Sequence, residues 1–326
     1  MNTYIRTSNV FVLFSIMLIF MLASCSSNPS NSENSYSDQI PLIMQAISQD
    51  ADIFDVSGMD DNGVQSPAGE ENQLAKTNGS LDVIRFGRFG HFALDTVLVE
   101  FETDSTATAT VFHTLNGEFK ILAKDTSGGG QGATIISKKM TNSIVRKVKL
   151  VKKKNASAEN DSANVRSNWK ITQVSLAVGS SENPTVAIEQ LRISAPGLNG
   201  DLIVTDPLAT FLDRKSGIPA FSRNDTIKVY ATISNTNNFP PEPGETVLLR
   251  HKMHRFSARS RKTLRDDGVY PDEVAGDGVF SGFFVKQNLF GVRHSALDVI
   301  DNGAIYDDSA PYNSVFWALP YRNRIR

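Results

Sequence analysis

The feature that most constrains the fold of this chain is a succession of stretches in which apolar and polar residues alternate. The clearest covers residues 106–115, where Ala107, Ala109, Val111 and Leu115 are separated mainly by threonines. Successive side chains of a β-strand point to opposite faces, so this alternation predicts a strand with one buried face. Similar stretches predict strands at residues 97–101, 117–124, 144–151, 169–178, 186–193, 202–205, 226–235, 246–253, 279–286, 295–301 and 314–319. The strand at residues 117–124 is expected to pair back on residues 106–115 as a hairpin.

The predicted elements fall into two groups. Apolar residues recur at helical spacing over residues 41–55, and at least five long strands follow. One helix followed by such strands predicts an α+β domain with a curved antiparallel sheet, which we assign to residues 39–196. Short, evenly spaced strands follow the turn-rich residues 195–200. They predict an all-β sandwich of the immunoglobulin-like type at residues 197–322.

A single cysteine, Cys25, follows an apolar run at residues 10–22. With about 13 residues, this run is shorter than the roughly 20 that span a membrane, and it has the length typical of a signal peptide. Residues 25–38 are rich in Ser and Asn and predict a flexible tether. Because the chain has no second cysteine, its stability must come from core burial or from bound ions rather than from disulfides.

The four residues Leu22-Ala23-Ser24-Cys25 resemble the lipobox of bacterial lipoproteins. The resemblance implies that residues 1–24 are a cleaved signal peptide and that Cys25 is the site of lipid attachment, carrying palmitate-type acyl chains. Two or more such chains hold a protein stably at a membrane. The resemblance also implies a location in the cell envelope. Ser26, in place of Asp, is similar to sequences sorted to the outer membrane.

The stretch 264–281 concentrates carboxylates among three glycines that tolerate positive φ. Its carboxylate residues are Asp266, Asp267, Asp272, Asp277 and Glu273. The glycines let the stretch fold back on itself and bring the carboxylates together. A hard cation that takes roughly six to eight oxygen ligands would relieve their mutual repulsion. We therefore consider the four aspartates a candidate calcium site, the one cofactor that the sequence suggests.

Two other interpretations of this stretch stay open. Aspartate side chains also accept hydrogen bonds from backbone N–H groups in turns without any ion. The spacing departs from the EF-hand order, because Gly268 stands where a ligand is needed. The loop is also a candidate contact for a partner. The whole stretch resembles a signature of bacterial surface modules of the choice-of-anchor X type, which implies an immunoglobulin-like module around it.

A further resemblance concerns the first predicted domain. The strands that resemble the nuclear-transport-factor-2-like fold are at residues 108–114, 143–152 and 169–175. That resemblance implies a curved sheet around a cavity, and proteins with this fold include isomerases, dehydratases and pure binders. The candidate pocket residues are His91, Asp95 and His113. On a strand, the offset of four places His91 and Asp95 on one face.

Composition and motifs favour a non-enzymatic role. The 33 basic and 35 acidic residues give a net charge of −2, which disfavours nucleic acid as a partner. The sequence contains no nucleophile elbow, phosphate-binding loop or dinucleotide motif, so we assign no catalytic residue. We predict a lipid-anchored envelope protein with a protein or glycan partner. The alternative is a small-molecule or lyase/isomerase-type pocket in the first domain.

Two groups of residues have competing interpretations. The basic stretches 138–154 and 250–262 are interpreted as solvated strands, or as contacts with anionic polysaccharide or lipid headgroups. Tyr312, Trp317 and Tyr321 are interpreted as members of a last core strand, or as an exposed platform for glycan binding.

Overall fold

Most of the regular structure is β-strand, in agreement with the alternating sequence. A computed structural model describes residues 34–54, 66–67, 81–124, 132–153, 168–237, 239, 244–251, 260–286 and 291–323. The predicted signal peptide and Cys25 lie outside these residues. The strands are β1 (Ser66–Pro67), β2 (Val83–Thr103), β3 (Thr106–Lys124), β4 (Ala133–Lys152), β5 (Trp169–Ser175), β6 (Ala177–Ser181), β7 (Val186–Ser194), β8 (Leu202–Val204), β9 (Phe211–Asp213), β10 (Ala220–Phe221), β11 (Thr226–Asn235), β12 (Glu245–His251), β13 (Ser260–Thr263), β14 (Val279–Val285), β15 (Val292–Asp301) and β16 (Ser314–Asn323). The helices are α1 (Asn34–Ser37), α2 (Gln39–Gln49), α3 (Ala51–Phe54) and α4 (Asn302–Tyr306).

Three long strands dominate the larger sheet. β2, β3 and β4 have 21, 19 and 20 residues, and β3 pairs with β2 and β4 along nearly its whole length. At about 3.3 Å per residue, each strand extends over roughly 65 Å. Among the described residues the sheet has 12 strands, and its main path continues from β4 through β6, β16, β15 and β12 to β13. The large sheet therefore joins residues from both predicted domains.

β3 continues without a break through Gly117, where the sequence predicts a second strand pairing back as a hairpin. Gly117 lies opposite Gly90 of β2. A Cβ atom at either position would collide with the backbone of the opposite strand. The predicted hairpin is therefore wrong, because these glycines permit a close approach of two long strands rather than a turn.

A second, four-stranded sheet faces the larger one, in the order β14-β11-β7-β8. Val229 of β11 belongs to the same buried cluster as Leu297 and Val299 of β15. Helix α2 adds Ile43 and Ile47 to this cluster, which confirms the apolar stripe predicted for the helix. Two antiparallel sheets that enclose a shared core are consistent with a β-sandwich.

Strands from both sides of the boundary predicted after residue 196 belong to both sheets. β7 pairs with β11 in the small sheet, and β6 pairs with β16 in the large sheet. The chain from Pro41 to Arg326 forms one compact unit. The structure therefore does not confirm the α+β domain at residues 39–196, because β6 and β7 pair with strands from the C-terminal part of the chain.

The outer face of the large sheet is buried too. Ile300 of β15 and Phe316 of β16 share a second core with Phe119 of β3 and Ile144 of β4. Their sequence neighbours on β15 and β16 point into the first core. The central strands are therefore apolar on both faces, with the long strands covering one face and the small sheet covering the other.

A buried ion cluster links the long strands to the centre of the sheet. Asp298 of β15 is completely buried and accepts two hydrogen bonds from Arg88 of β2, at 2.6 and 2.8 Å. Arg250 of β12 donates a third at 2.6 Å, and Arg88 also donates to the hydroxyl of Tyr312 at 2.5 Å. Burial alone would raise the pKa of Asp298, but the two guanidinium groups outweigh it and lower that pKa. Asp298 therefore stays charged in the core.

Candidate functional site

The aspartate-rich stretch forms a loop between β13 and β14. Its glycines have the positive φ that the sequence suggests: 68° at Gly268, 75° at Gly276 and 78° at Gly278. A backbone bridge between Arg265 and Ser281, with hydrogen bonds of 3.0 and 2.7 Å, closes its base. The loop therefore begins and ends at neighbouring points and folds back over itself.

The aspartates hold this loop by accepting backbone hydrogen bonds. The carboxylate of Asp266 accepts from three consecutive N–H groups, residues 276–278, at 2.6, 3.2 and 2.8 Å. Asp272 accepts from the N–H of Gly268 at 2.6 Å. These are the contacts expected of a loop capped by its own side chains. That interpretation accounts for the fold of the loop.

The same fold also brings three carboxylates together. One oxygen each of Asp266, Asp272 and Asp277 lies within 4.8 Å of the other two. Asp272 is buried, and the single hydrogen bond from Gly268 compensates only part of the cost of burying a charged carboxylate. In the part of the chain that the structure describes, the second oxygens of Asp272 and Asp277 accept no hydrogen bond. An all-oxygen set of hard, anionic donors fits calcium better than zinc or copper.

The predicted ligand set is thus reduced from four aspartates to three. Asp267 caps the N–H of Val269 at 2.9 Å and lies 3.7 Å from Arg265, outside the cluster. Glu273 is exposed and also lies outside it. The regular spacing of five residues that links Asp267 to Asp272 and Asp277 therefore does not decide which carboxylates meet.

A cleft of about 450 Å³ opens beside the loop. It lies between β13, which belongs to the large sheet, and β14, which belongs to the small one. The two segments meet at the bridge between Arg265 and Ser281, and each then pairs within its own sheet. The cleft therefore lies where the edges of the two sheets separate. The loop forms one of its walls.

The three candidate pocket residues lie on the long hairpin. His91 and Asp95 of β2 are exposed, and Asp95 accepts a hydrogen bond from Thr114 of β3. His113 is half-buried, and its pKa is lowered by burial and then by the guanidinium of Arg146. His91 lies opposite Asn116, away from His113. The charge of Asp95 opposes this lowering of the His113 pKa, so these two side chains lie near each other, whereas His91 and Asp95 are both exposed.

The two basic stretches contain buried cations that sequence reasoning missed. Arg250 is paired with Asp298, and the Nζ of Lys138 donates to the carbonyl of Ala304 at 2.8 Å and to that of Asp307. Arg146 is buried and donates to the backbone carbonyls of α3 and β16. The interpretation of these stretches as solvated strands is therefore wrong at these three positions, because β4 and β12 lie inside the sheet.

The aromatic residues near the C-terminus are buried. Tyr312, Trp317 and Tyr321 are each less than a tenth exposed, and burial raises the pKa of Tyr321 to about 12. They belong to the two cores, as the core-strand interpretation predicts. Tyr270, in the wall of the cleft, is instead an exposed aromatic residue.

Among the residues that the structure describes, no helix has the length and apolar character needed to cross a membrane. Comparisons with protein-family models, with curated proteins and with solved structures gave no match.

Proposed function

We propose that this chain is a lipid-anchored protein of the bacterial cell envelope, and specifically of the outer membrane. Its proposed role is non-enzymatic binding. In this proposal an immunoglobulin-like sandwich presents the binding surface, and calcium stiffens its aspartate-rich loop. The four residues that end at Cys25 support the anchor, and the calcium part is supported by the approach of three carboxylate oxygens to within 4.8 Å in the loop between β13 and β14.

Calcium would act on the loop in two ways. Three carboxylates this close repel one another, and a divalent cation converts that repulsion into attraction. The ion would also fix Asp272 and Asp277 relative to Asp266, whose backbone hydrogen bonds already hold the far end of the loop. A loop fixed in this way presents a pre-organised surface, which lowers the entropy lost when a partner binds.

The calcium part of the proposal is tested by thermal unfolding of the full chain in detergent, with EDTA and then with millimolar calcium. A ligand that binds only the folded state stabilises it by about 2.7 kcal/mol at a hundredfold excess over Kd. We expect an increase in Tm of a few degrees. Asp272→Asn and Asp277→Asn should abolish the increase. Asp267→Asn is the matched control, because it removes the same charge from the same loop outside the cluster.

An unchanged Tm of the wild-type protein in calcium would contradict this part of the proposal. The loop would then be held by its side-chain caps alone. An equal loss of the calcium response in Asp267→Asn would also count against the three-carboxylate site, because the effect would then follow net charge rather than position.

The anchor is tested separately by expressing the full chain and Cys25→Ser in bacteria fed with labelled palmitate. The four residues ending at Cys25 support the expectation that the wild-type protein incorporates label and sediments with membranes. Cys25→Ser should lose both properties, and Ser30→Ala in the predicted tether should retain them. Labelled Cys25→Ser protein in the membrane fraction would refute lipid attachment at this cysteine.

A further inference from the structure

The cleft beside the loop carries an excess of positive charge. Arg261 and Lys262 of β13 line it together with Arg265, whereas Asp267 is the one acid among its described lining residues. Asp267 forms an ion pair with Arg265 at 3.7 Å, with both side chains at least a third exposed. Burial, and then the charge of Arg265, lower the pKa of Lys262. With three cations and one acid in its described lining, the cleft attracts an anionic group.

Aromatic rings lie next to these cations. Tyr270 is 67% exposed, and its ring centroid lies 6.5 Å from that of Phe283. The Nζ of Lys262 lies 3.7 Å from the centre of the Phe283 ring, and that of Lys228 lies 4.9 Å from the centre of the Tyr270 ring. The lysines are thus held at the aromatic wall. An exposed ring beside fixed cations suits a ligand that has both an apolar face and a charge.

We propose that this cleft binds a sugar that carries a carboxylate or phosphate group. Arg261, Lys262 and Arg265 hold the acidic group, and the ring of Tyr270 packs against the apolar face of the sugar. The volume of the cleft, about 450 Å³, lies within the range of small-molecule sites. The proposal rests on the binding role proposed above and names the ligand class of that role.

The test is isothermal titration calorimetry of the full chain in detergent with glucuronate and with glucose 6-phosphate, which separate the two sources of negative charge. At least one should bind saturably. Glucose should bind at least tenfold more weakly, because it lacks the charged group. Lys262→Met should lower the affinity for the acidic sugar about tenfold. Lys170→Met on β5, an exposed lysine outside the cleft, is the charge-matched control and should change nothing.

A second pair of variants tests the aromatic contact. Tyr270→Ser should lower the affinity for the acidic sugar several-fold. Tyr270→Phe keeps the ring and should bind the sugar as tightly as the wild type. Inorganic phosphate serves as the probe for a simple anion site. Equal affinities for phosphate and glucose 6-phosphate, with no effect of Tyr270→Ser, would overturn the proposal.

The remaining outcomes are also decisive. Binding of hexaglutamate by a protein that ignores all the sugars would overturn the proposal in favour of an acidic protein partner. No binding of any probe to the folded wild type would refute it outright. Repeating the titrations with EDTA separates the two proposals: sugar binding without a calcium response refutes only the calcium part of the proposed function, and a calcium response without sugar binding refutes only the ligand class.

Discussion

Replacing Asp298 by Asn should destabilise the fold more than removal of any surface charge. The carboxylate is completely buried and accepts three hydrogen bonds of 2.6 to 2.8 Å from Arg88 and Arg250. Asn has nearly the same shape, so it leaves no cavity and removes only the charge. The guanidinium groups of Arg88 and Arg250 then lose the negative charge to which both of them donate in the core.

The expected loss is about 3–5 kcal/mol. At an effective dielectric constant of about 20, the attraction between two opposite unit charges 4 Å apart is roughly 4 kcal/mol. In the native protein, the cost of burying the charges largely offsets this attraction. Without the carboxylate of Asp298 the attraction is lost, but the cost of burying the two guanidinium groups remains. Breaking a buried ion cluster is therefore strongly destabilising. The free energy of unfolding of natural domains is about 5–15 kcal/mol, so the expected loss is a large share of the total stability.

The assay is equilibrium urea unfolding followed by the fluorescence of Trp169 and Trp317, which are both buried. With a slope of about 3 kcal/mol per M, the midpoint should fall by about 1–2 M. Asp201→Asn is the matched control. Its pair with Arg192 spans 3.6 Å, with both side chains 35% exposed, and such pairs contribute below about 1 kcal/mol. Equal midpoints for the two variants would refute the reasoning.

Two further predictions concern buried side chains. Burial lowers the pKa of Lys138 and of Lys286 to about 8. The folded protein therefore loses these protons while the unfolded chain still holds them, so the free energy of unfolding should rise by about 2 kcal/mol per lysine from pH 8 to 10. Urea midpoints across this range check it, and an equal rise in the variant with both lysines replaced by Met would contradict it. Gly179→Ala should cost about 1–3 kcal/mol, because its Cβ would overlap the ring of Phe316. Calorimetry should show partial recovery when Phe316→Leu is added, and no recovery would exclude this overlap as the cause.

Alternation in the sequence identifies which segments are strands but not how far they extend. Residues 106–115 alternate cleanly, and the structure buries Ala107, Ala109, Val111 and Leu115 as predicted. The strand nevertheless continues to Lys124. Gly117 signals a turn by its residue type, but pairing with Gly90 makes it a site of close approach. That distinction depends on the partner strand, which lies outside any local window of sequence.

The candidate calcium site was predictable in part. The glycines and aspartates of the loop indicate a tight fold rich in side-chain caps, and both features occur in the structure. The pairing of Asp266, rather than Asp267, with Asp272 and Asp277 depends on which way each side chain leaves the backbone. The cleft was not predictable, because it exists only where two strands of different sheets separate. The one sequence sign was the basic run that includes Arg261 and Lys262.

The sequence by itself determined the β-rich character of the chain, the positive φ of the loop glycines and the expectation of a lipid anchor at Cys25. Each of these depends on neighbouring residues, whose sterics and side-chain direction act over a few positions. Only the tertiary structure decided that the central strands are buried on both faces and that Arg88 meets Asp298, 210 residues away. Such contacts depend on which strands pair and on which faces of the sheets are covered. The free energy gained by burying a whole sheet face is larger than the conformational preference of any short stretch of sequence.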